Sequence, residues 1–273
     1  MERNRLRPTG SAGLDRNELK YAAVFFMVLD HTAYAFLPEG SSAYLLLRLL
    51  GRLTMPIMAW FLAEGYRYTR DKRAYGLRLL LFSVAAAVPF SYLAAGSWLP
   101  AALLPGSSPS PYLHLFLPFA GKTLVIYPAN VIFTLFLSFL NLAVWDRTKL
   151  PTVGKAAATA LICIAASAAD WGYWCVLMCF IFWKFRERHA MKWALYALLS
   201  VSYIFRFTVF QNPLCVEVTH SFAWFRLGIL LAAPVLELLY NGQKGRGSRF
   251  DKWFFYAFYP LHLLVIDLIL WLT

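Results

Sequence analysis

The chain is 273 residues long, 60% hydrophobic and only 15% charged, with a mean hydropathy of +0.56. Soluble domains carry about 25% charged residues and keep a polar exterior, so a water-soluble globule is excluded, and disorder and coiled coil, which need more charge, go with it. The net charge of +12 comes from 26 Lys and Arg against 14 Asp and Glu; these basic residues cluster between apolar runs, the pattern of cytoplasmic loops rather than of a nucleic-acid binder.

Residues 1–18 form a basic tail carrying Arg3, Arg5, Arg7 and Arg16. The apolar run that follows has no small-residue cleavage site after it, so it reads as an uncleaved first span. A helix needs about 20 apolar residues to cross the hydrocarbon core. The candidate runs, in order, are Leu19–Phe36, Ala43–Tyr66, Ala74–Ala95, Thr123–Trp145, Ala156–Ala169, Trp171–Trp183, Ala190–Phe205, His220–Tyr240 and Trp253–Leu272. The fifth and sixth are short and fit a hairpin that turns at Asp170-Trp171-Gly172. Residues 96–122 hold Pro100, Pro105, Pro109, Pro111 and Pro118, which exclude a regular helix and suggest an interfacial or re-entrant loop. The four cysteines, Cys163, Cys175, Cys179 and Cys215, have neither disulfide-scaffold density nor zinc-knuckle spacing and read as packing residues; no metal is expected.

The expected fold is therefore all-α: a polytopic membrane protein of about nine transmembrane helices, with one domain over 19–273. With the N-terminus inside, 21 of the 26 basic residues fall in cytoplasmic loops. The charge bias predicts a cytoplasmic N-terminus and an external C-terminus, in a plasma membrane.

A charge inside a span costs several kcal/mol unless it is paired or wet, so intramembrane charges mark where to look for chemistry. The first span offers Asp30 and His31, and the second Arg48, Arg52 and Glu64. The eighth offers Arg226 and Glu237, and the ninth His262 and Asp267. At about 1.5 Å per residue, His31 lies roughly 18 Å from the inner end of its span and His262 roughly 14 Å from that of the last, while Arg52 descends roughly 13 Å from outside. All three meet near mid-membrane. Lys20 and His31 are eleven residues apart and share one helix face, with Lys20 at the inner mouth. Asp30 points about 100° away from His31 and suits an arginine of another span. Arg48 and Arg52 repel at their i,i+4 spacing and need a carboxylate or an anion; Gly51 and Pro56 loosen the helix around them. Arg226 and Asp267 are expected to pair, as are Glu64 and Arg67. Pro260 frees a carbonyl in the last span, close to His262.

The chain resembles the TraX family, whose founding member is the F-pilin N-acetylase of conjugative plasmids. The resemblance runs from about Leu19 to the C-terminus. It is carried by Leu19-Lys20 with Asp30-His31, by Leu50-Gly51-Arg52 with Pro56 and Ala63-Glu64-Gly65-Tyr66-Arg67-Tyr68, and by Arg78-Leu79 with Pro89-Phe90. Asn130-Val131-Ile132-Phe133-Thr134-Leu135, Asp170-Trp171-Gly172 and Phe258-Tyr259-Pro260-Leu261-His262-Leu263 complete it. TraX proteins are similar in turn to the transmembrane acyltransferases, in which a basic residue, ten positions and a histidine mark the first span. Lys20 and His31 fit that spacing, with Lys where Arg is commoner.

What the resemblance implies is transfer of an acyl group, acetyl from acetyl-CoA, from the cytoplasm to an acceptor reached within or across a bacterial inner membrane. The acceptor is a pilin-like peptide N-terminus or a sugar of a surface glycan, so an amine and a hydroxyl both fit. His31 then serves as general base, because a histidine titrates near neutral pH. Arg52, with Asp30 beside it, steadies the developing oxyanion. Lys20, Arg48, Arg67, Arg70 and Arg73 are the candidates for the coenzyme phosphates, and His262, Glu64 and Asp170 are further candidates for the site. Direct transfer and an acyl-histidine intermediate both fit these residues. Two other classes compete: a secondary transporter, which also uses buried charges and broken spans, and a non-catalytic membrane scaffold. Consumption of labelled acetyl-CoA separates them from an enzyme.

Overall fold

The computed structural model describes residues 13–95, 130–167, 169–205, 222–245 and 247–273. The proline-rich 96–122 segment, with Lys122, Arg206, His114, His220 and Cys215, lies outside the described residues. Every regular element among the described residues is a helix, apart from one isolated bridge between Leu14 and Tyr240.

Helix α1 (Arg16–Phe36) starts ahead of the expected Leu19 because a capping box sits there. The Asp15 carboxylate accepts from the backbone N–H groups of Asn17 and Glu18, and the Glu18 carboxylate accepts from the Asp15 N–H at 2.7 Å. The second apolar run, expected as one span, is instead two helices, α2 (Ser42–Gly51) and α3 (Thr54–Tyr68), broken at Arg52 and Leu53. The break follows from the sequence: Pro56 has no N–H for the Arg52 carbonyl four residues back, and Gly51 is a poor helix former. Gly51 also has a packing reason, since a Cβ there would overlap the Asp30 side chain. Its bare backbone lets α2 press directly on α1 at the most polar point of that helix.

Helix α4 (Lys72–Ala95) contains Pro89, and α5 (Val131–Arg147) is capped by Asn130, whose side-chain oxygen accepts from the N–H groups of Ile132 and Phe133. The same amide donates to the Ser83 carbonyl at 2.8 Å and ties α5 to α4. Helices α6 (Thr152–Ala166) and α7 (Gly172–Lys184) form the expected hairpin. Its turn holds Trp171 at φ 63°, a left-handed conformation that costs a bulky residue energy, followed by Gly172 at φ 51°. Then come α8 (His189–Ile204) and a mixed helix, which is 3₁₀ over Trp224–Leu231, α over Ala232–Pro234 and π over Val235–Leu239. The last helix, α9 (Arg249–Leu272), opens on a second capping box, Ser248 with Asp251.

Helix α1 packs on α2, α3 and α9, while α4 lies between α5 and α9, and α7 between α3 and α5. The mixed helix packs on α2 with Gly228 over the Leu49 carbonyl, where a Cβ would collide. Among the described residues, three helices are long and apolar enough to cross a membrane: Ser42–Tyr68 taken through its break, Lys72–Ala94 and Phe250–Leu272; Thr152–Ala166 and Gly172–Lys184 are apolar but shorter. Helix α4 exposes Leu77, Leu81, Val84 and Val88 along one face, and α9 exposes Leu261, Leu264, Val265, Leu268 and Ile269. Continuous apolar faces of this kind suit lipid, not water.

Candidate active site

The helical break brings the buried charges together. The Asp30 carboxylate, 6% exposed, accepts from Arg48 Nη1 at 2.9 Å and from Arg52 Nη2 through the same oxygen, Oδ2. Asp30 thus serves both arginines, and their mutual repulsion at the i,i+4 spacing is relieved. Arg52 uses its other terminal nitrogen to donate to the Tyr203 hydroxyl at 3.0 Å, and its guanidinium lies 5.0 Å above the Trp171 ring. Trp171 in turn stacks on Tyr203 with centroids 4.8 Å apart. The left-handed turn before α7 therefore has a local purpose: it lays an indole face beneath a guanidinium. Arg52 Nε and Asp30 Oδ1 are buried and have no hydrogen-bond partner among the described residues.

His31 stands one residue along α1 and turns to α9, as the 100° step requires. Its Nδ1 lies 2.7 Å from Nε2 of His262, and His262 Nδ1 lies 2.9 Å from the Phe258 carbonyl. Tyr259 packs edge-on against both imidazoles.

A cavity of about 400 Å³ joins this centre to one end of the bundle. Lys20, Asp30, His31, Arg52, Asp170 and Trp171 line it, so the shared face of Lys20 and His31 is a cavity wall. Its other end is lined by Arg16, Arg78, Lys244, Asp251 and Lys252. Arg16 Nε and Arg78 Nε are buried without a hydrogen-bond partner among the described residues. Lys20 Nζ sits 5.2 Å from the Phe255 ring centre and 5.8 Å from that of Phe61.

The other candidate residues lie elsewhere. Arg48 is behind Asp30, its guanidinium over the rings of Tyr34, Tyr44 and Phe225, and does not line the cavity. Arg67 lies over Tyr68, while Arg70 and Arg73 border a separate open hollow of about 480 Å³ with Lys72 and Arg147. Beside that hollow, the hydrogen bond from Lys72 holds the Asp146 carboxyl below its usual range. Glu64 does not pair with Arg67; both its oxygens accept from the Tyr240 hydroxyl, at 3.0 and 3.1 Å. Arg226 does not reach Asp267: it donates to the Ile204 carbonyl at 3.3 Å, and both Asp267 oxygens are buried without a hydrogen-bond partner among the described residues. Cys175 and Cys179 are buried packing residues, as expected.

The residues that sequence reasoning missed are Arg16, Arg78, Lys244, Lys252 and Tyr203. Arg78 was within reach. Tyr75, Arg78, Leu79 and Phe82 recur at helical spacing on one face of α4, opposite the exposed Leu77 and Leu81. An arginine on that inner stripe points at the cavity and not at a loop.

The profile of the TraX protein family matches residues 15–107 and 111–270. The chain belongs to the TraX family. It is 30% identical over 254 residues to the probable fimbrial assembly protein FimC, serogroup H1, of Dichelobacter nodosus, covering 91% of this chain and 93% of that protein. No solved structure matches it. The expected family is thus the family found. Within this TraX chain, the matched segments include all of α1–α8 and nearly all of α9, hence both histidines of the contact and the Asp30 cluster.

Proposed function

We propose that this TraX protein is an integral membrane acyltransferase. In this reading it takes acetyl from acetyl-CoA on the cytoplasmic side and delivers it to a pilin N-terminus or an extracytoplasmic surface molecule. The observation that carries the reading is a cavity with a cationic mouth and a histidine at its inner end. A volume of about 400 Å³ is in the range of small-molecule sites. Arg16, Lys20, Arg78, Lys244 and Lys252 offer cations to the phosphates of the donor, and the unpartnered Nε–H groups of Arg16 and Arg78 suit anionic oxygens. The apolar stretch between, with Met27, Met55, Met58 and Leu62 on its walls, suits the slender pantetheine arm and delivers the thioester near His31.

The chemistry then follows from the residues. A lone pair of the acceptor nitrogen or oxygen adds to the thioester carbonyl carbon as the N–H or O–H bond breaks and its proton passes to His31. The tetrahedral intermediate carries its charge on oxygen, and Arg52 lies on the same wall with a free Nε–H to meet it. Collapse expels the coenzyme thiolate, which takes up the proton from His31. The spans place the cationic mouth inside if the chain has the nine-helix arrangement with a cytoplasmic N-terminus and an external C-terminus. The relation to a fimbrial assembly protein favours an acceptor among pilus components.

The test is incubation of membranes containing the protein with acetyl-labelled acetyl-CoA and an extract holding candidate acceptors. The proposal expects free coenzyme A to appear with label in protein or glycan. A transporter or a scaffold leaves the thioester intact, and that outcome overturns the proposal.

A further inference from the structure

His262 is in direct contact with His31 yet does not line the cavity. The two imidazole planes are 14° apart, with centroids 5.0 Å apart and the facing nitrogens at 2.7 Å. A centroid separation equal to the N···N distance plus one ring radius on each side describes rings meeting edge to edge, nearly in plane. That is the geometry of an N–H···N hydrogen bond and not of face-to-face stacking.

We infer that His262 is a positioning residue that fixes the tautomer of His31, so that the ring nitrogen left for the cavity is a bare lone pair. The assignment follows from donors and acceptors alone. The Phe258 carbonyl can only accept, so His262 Nδ1 must carry the proton of that 2.9 Å bond. A neutral His262 then has no hydrogen on Nε2, which becomes the acceptor for His31. His31 must therefore donate from Nδ1, and a neutral His31 is left with an unprotonated Nε2. No described residue hydrogen-bonds that nitrogen, and His31 lines the cavity. The order runs from a helix carbonyl through two rings to a base: Phe258 oxygen sets His262, and His262 sets His31.

Packing holds the relay in place. The Phe258 ring stacks on His262 at 5.2 Å with planes 10° apart, and Tyr259 closes the edges of both imidazoles. The charged groups around the pair are Asp30 on α1, Arg48 and Arg52 at the α2 break, and Asp170 in the turn before α7. Asp30 turns away from His31 toward the two arginines, which both bind its Oδ2, and the His31 Nδ1 contact goes to His262.

The inference builds on the acyltransferase reading, and its test uses two readouts that fail separately. The first is solid-state NMR of the full-length protein in lipid with ¹⁵N-histidine. His31 is assigned by the signals that vanish in His31→Gln. The expected result is a protonated Nδ1 and a bare Nε2; the opposite tautomer overturns the inference whatever the protein catalyses. The second is acetyl transfer. His262→Leu should lower kcat by about 10–100-fold, the scale seen when the partner that orients a metal-bound imidazole is removed, with the KM for acetyl-CoA unchanged. His262→Gln, whose amide oxygen can still accept from His31 Nδ1, should recover most of the loss. A His262→Leu protein with wild-type kcat, or a Gln variant as slow as Leu, overturns the positioning role. A wild type with no transfer at all removes the acyltransferase reading and leaves the NMR result to decide the tautomer.

Discussion

Two clusters of buried charge can be compared. One is Asp30 with Arg48 and Arg52. The other joins α8 to the mixed helix: Lys192, 1% exposed, donates to Glu237 at 3.2 Å, Trp193 donates to the same oxygen, and His189 lies 3.3 Å away. Both are ion pairs supported by aromatic faces, with Lys192 Nζ 4.5 Å from Trp60 and Arg52 5.0 Å from Trp171. Each cluster holds a buried cation, although the Glu237 side chain is 37% exposed where that of Asp30 is 8%, so the clusters resemble each other in charge and in that cation. They differ in what they border: only the Asp30 cluster lies on the cavity wall, with the histidine contact beside it. Buried charge alone therefore does not identify a site in this fold; buried charge facing an enclosed volume does.

The comparison breaks or sharpens under substitution. The largest effect is expected for Asp30→Ala, which strands two buried guanidinium groups. Breaking a buried pair in this way costs about 3–5 kcal/mol, so the variant should fail to accumulate in membranes by immunoblot. Arg52→Lys comes next. A lysine cannot bridge Asp30 and Tyr203 with a planar fork, so the protein should accumulate while acetyl transfer falls about 10²-fold, the loss seen when an oxyanion donor is removed. Near-normal turnover would reduce Arg52 to a simple charge. Arg78→Ala should raise the KM for acetyl-CoA several-fold with little change in kcat, whereas Arg70→Ala, on the separate hollow, should leave both unchanged. Glu237→Gln should cost about 1–3 kcal/mol, read as a lower melting temperature in detergent, with transfer rates intact. A loss of turnover there as deep as in Arg52→Lys would erase the distinction between the clusters.

Much of the centre was legible in the sequence, because helix periodicity dictates it. An eleven-residue interval puts Lys20 and His31 on one face, and a one-residue step turns Asp30 to another span; the structure has both. Gly51 and Pro56 signalled a loosened helix, and the chain breaks between them. The phosphate candidates were harder. Arg67, Arg70 and Arg73 cluster in sequence because loops collect positive charge, and that pattern reports topology, not the course of a cavity. Arg52 and Tyr203 are 151 residues apart and meet only because the α6–α7 turn and α8 close over the α2 break. The expected Arg226–Asp267 and Glu64–Arg67 pairs failed for a related reason. Depth along a span says nothing about the direction in which a side chain faces, and Tyr240 and the Ile204 carbonyl were nearer partners than the charges.

The central claim is that His31, at the inner end of the cavity, takes the acceptor's proton. The most direct measurement is acetyl transfer from labelled acetyl-CoA in membranes holding equal amounts of wild type and His31→Gln. Glutamine can hydrogen-bond to His262 but cannot take up a proton, so the rate should fall about 10²–10⁴-fold, the usual contribution of a general base. A His31→Gln protein that transfers acetyl at the wild-type rate would contradict the account.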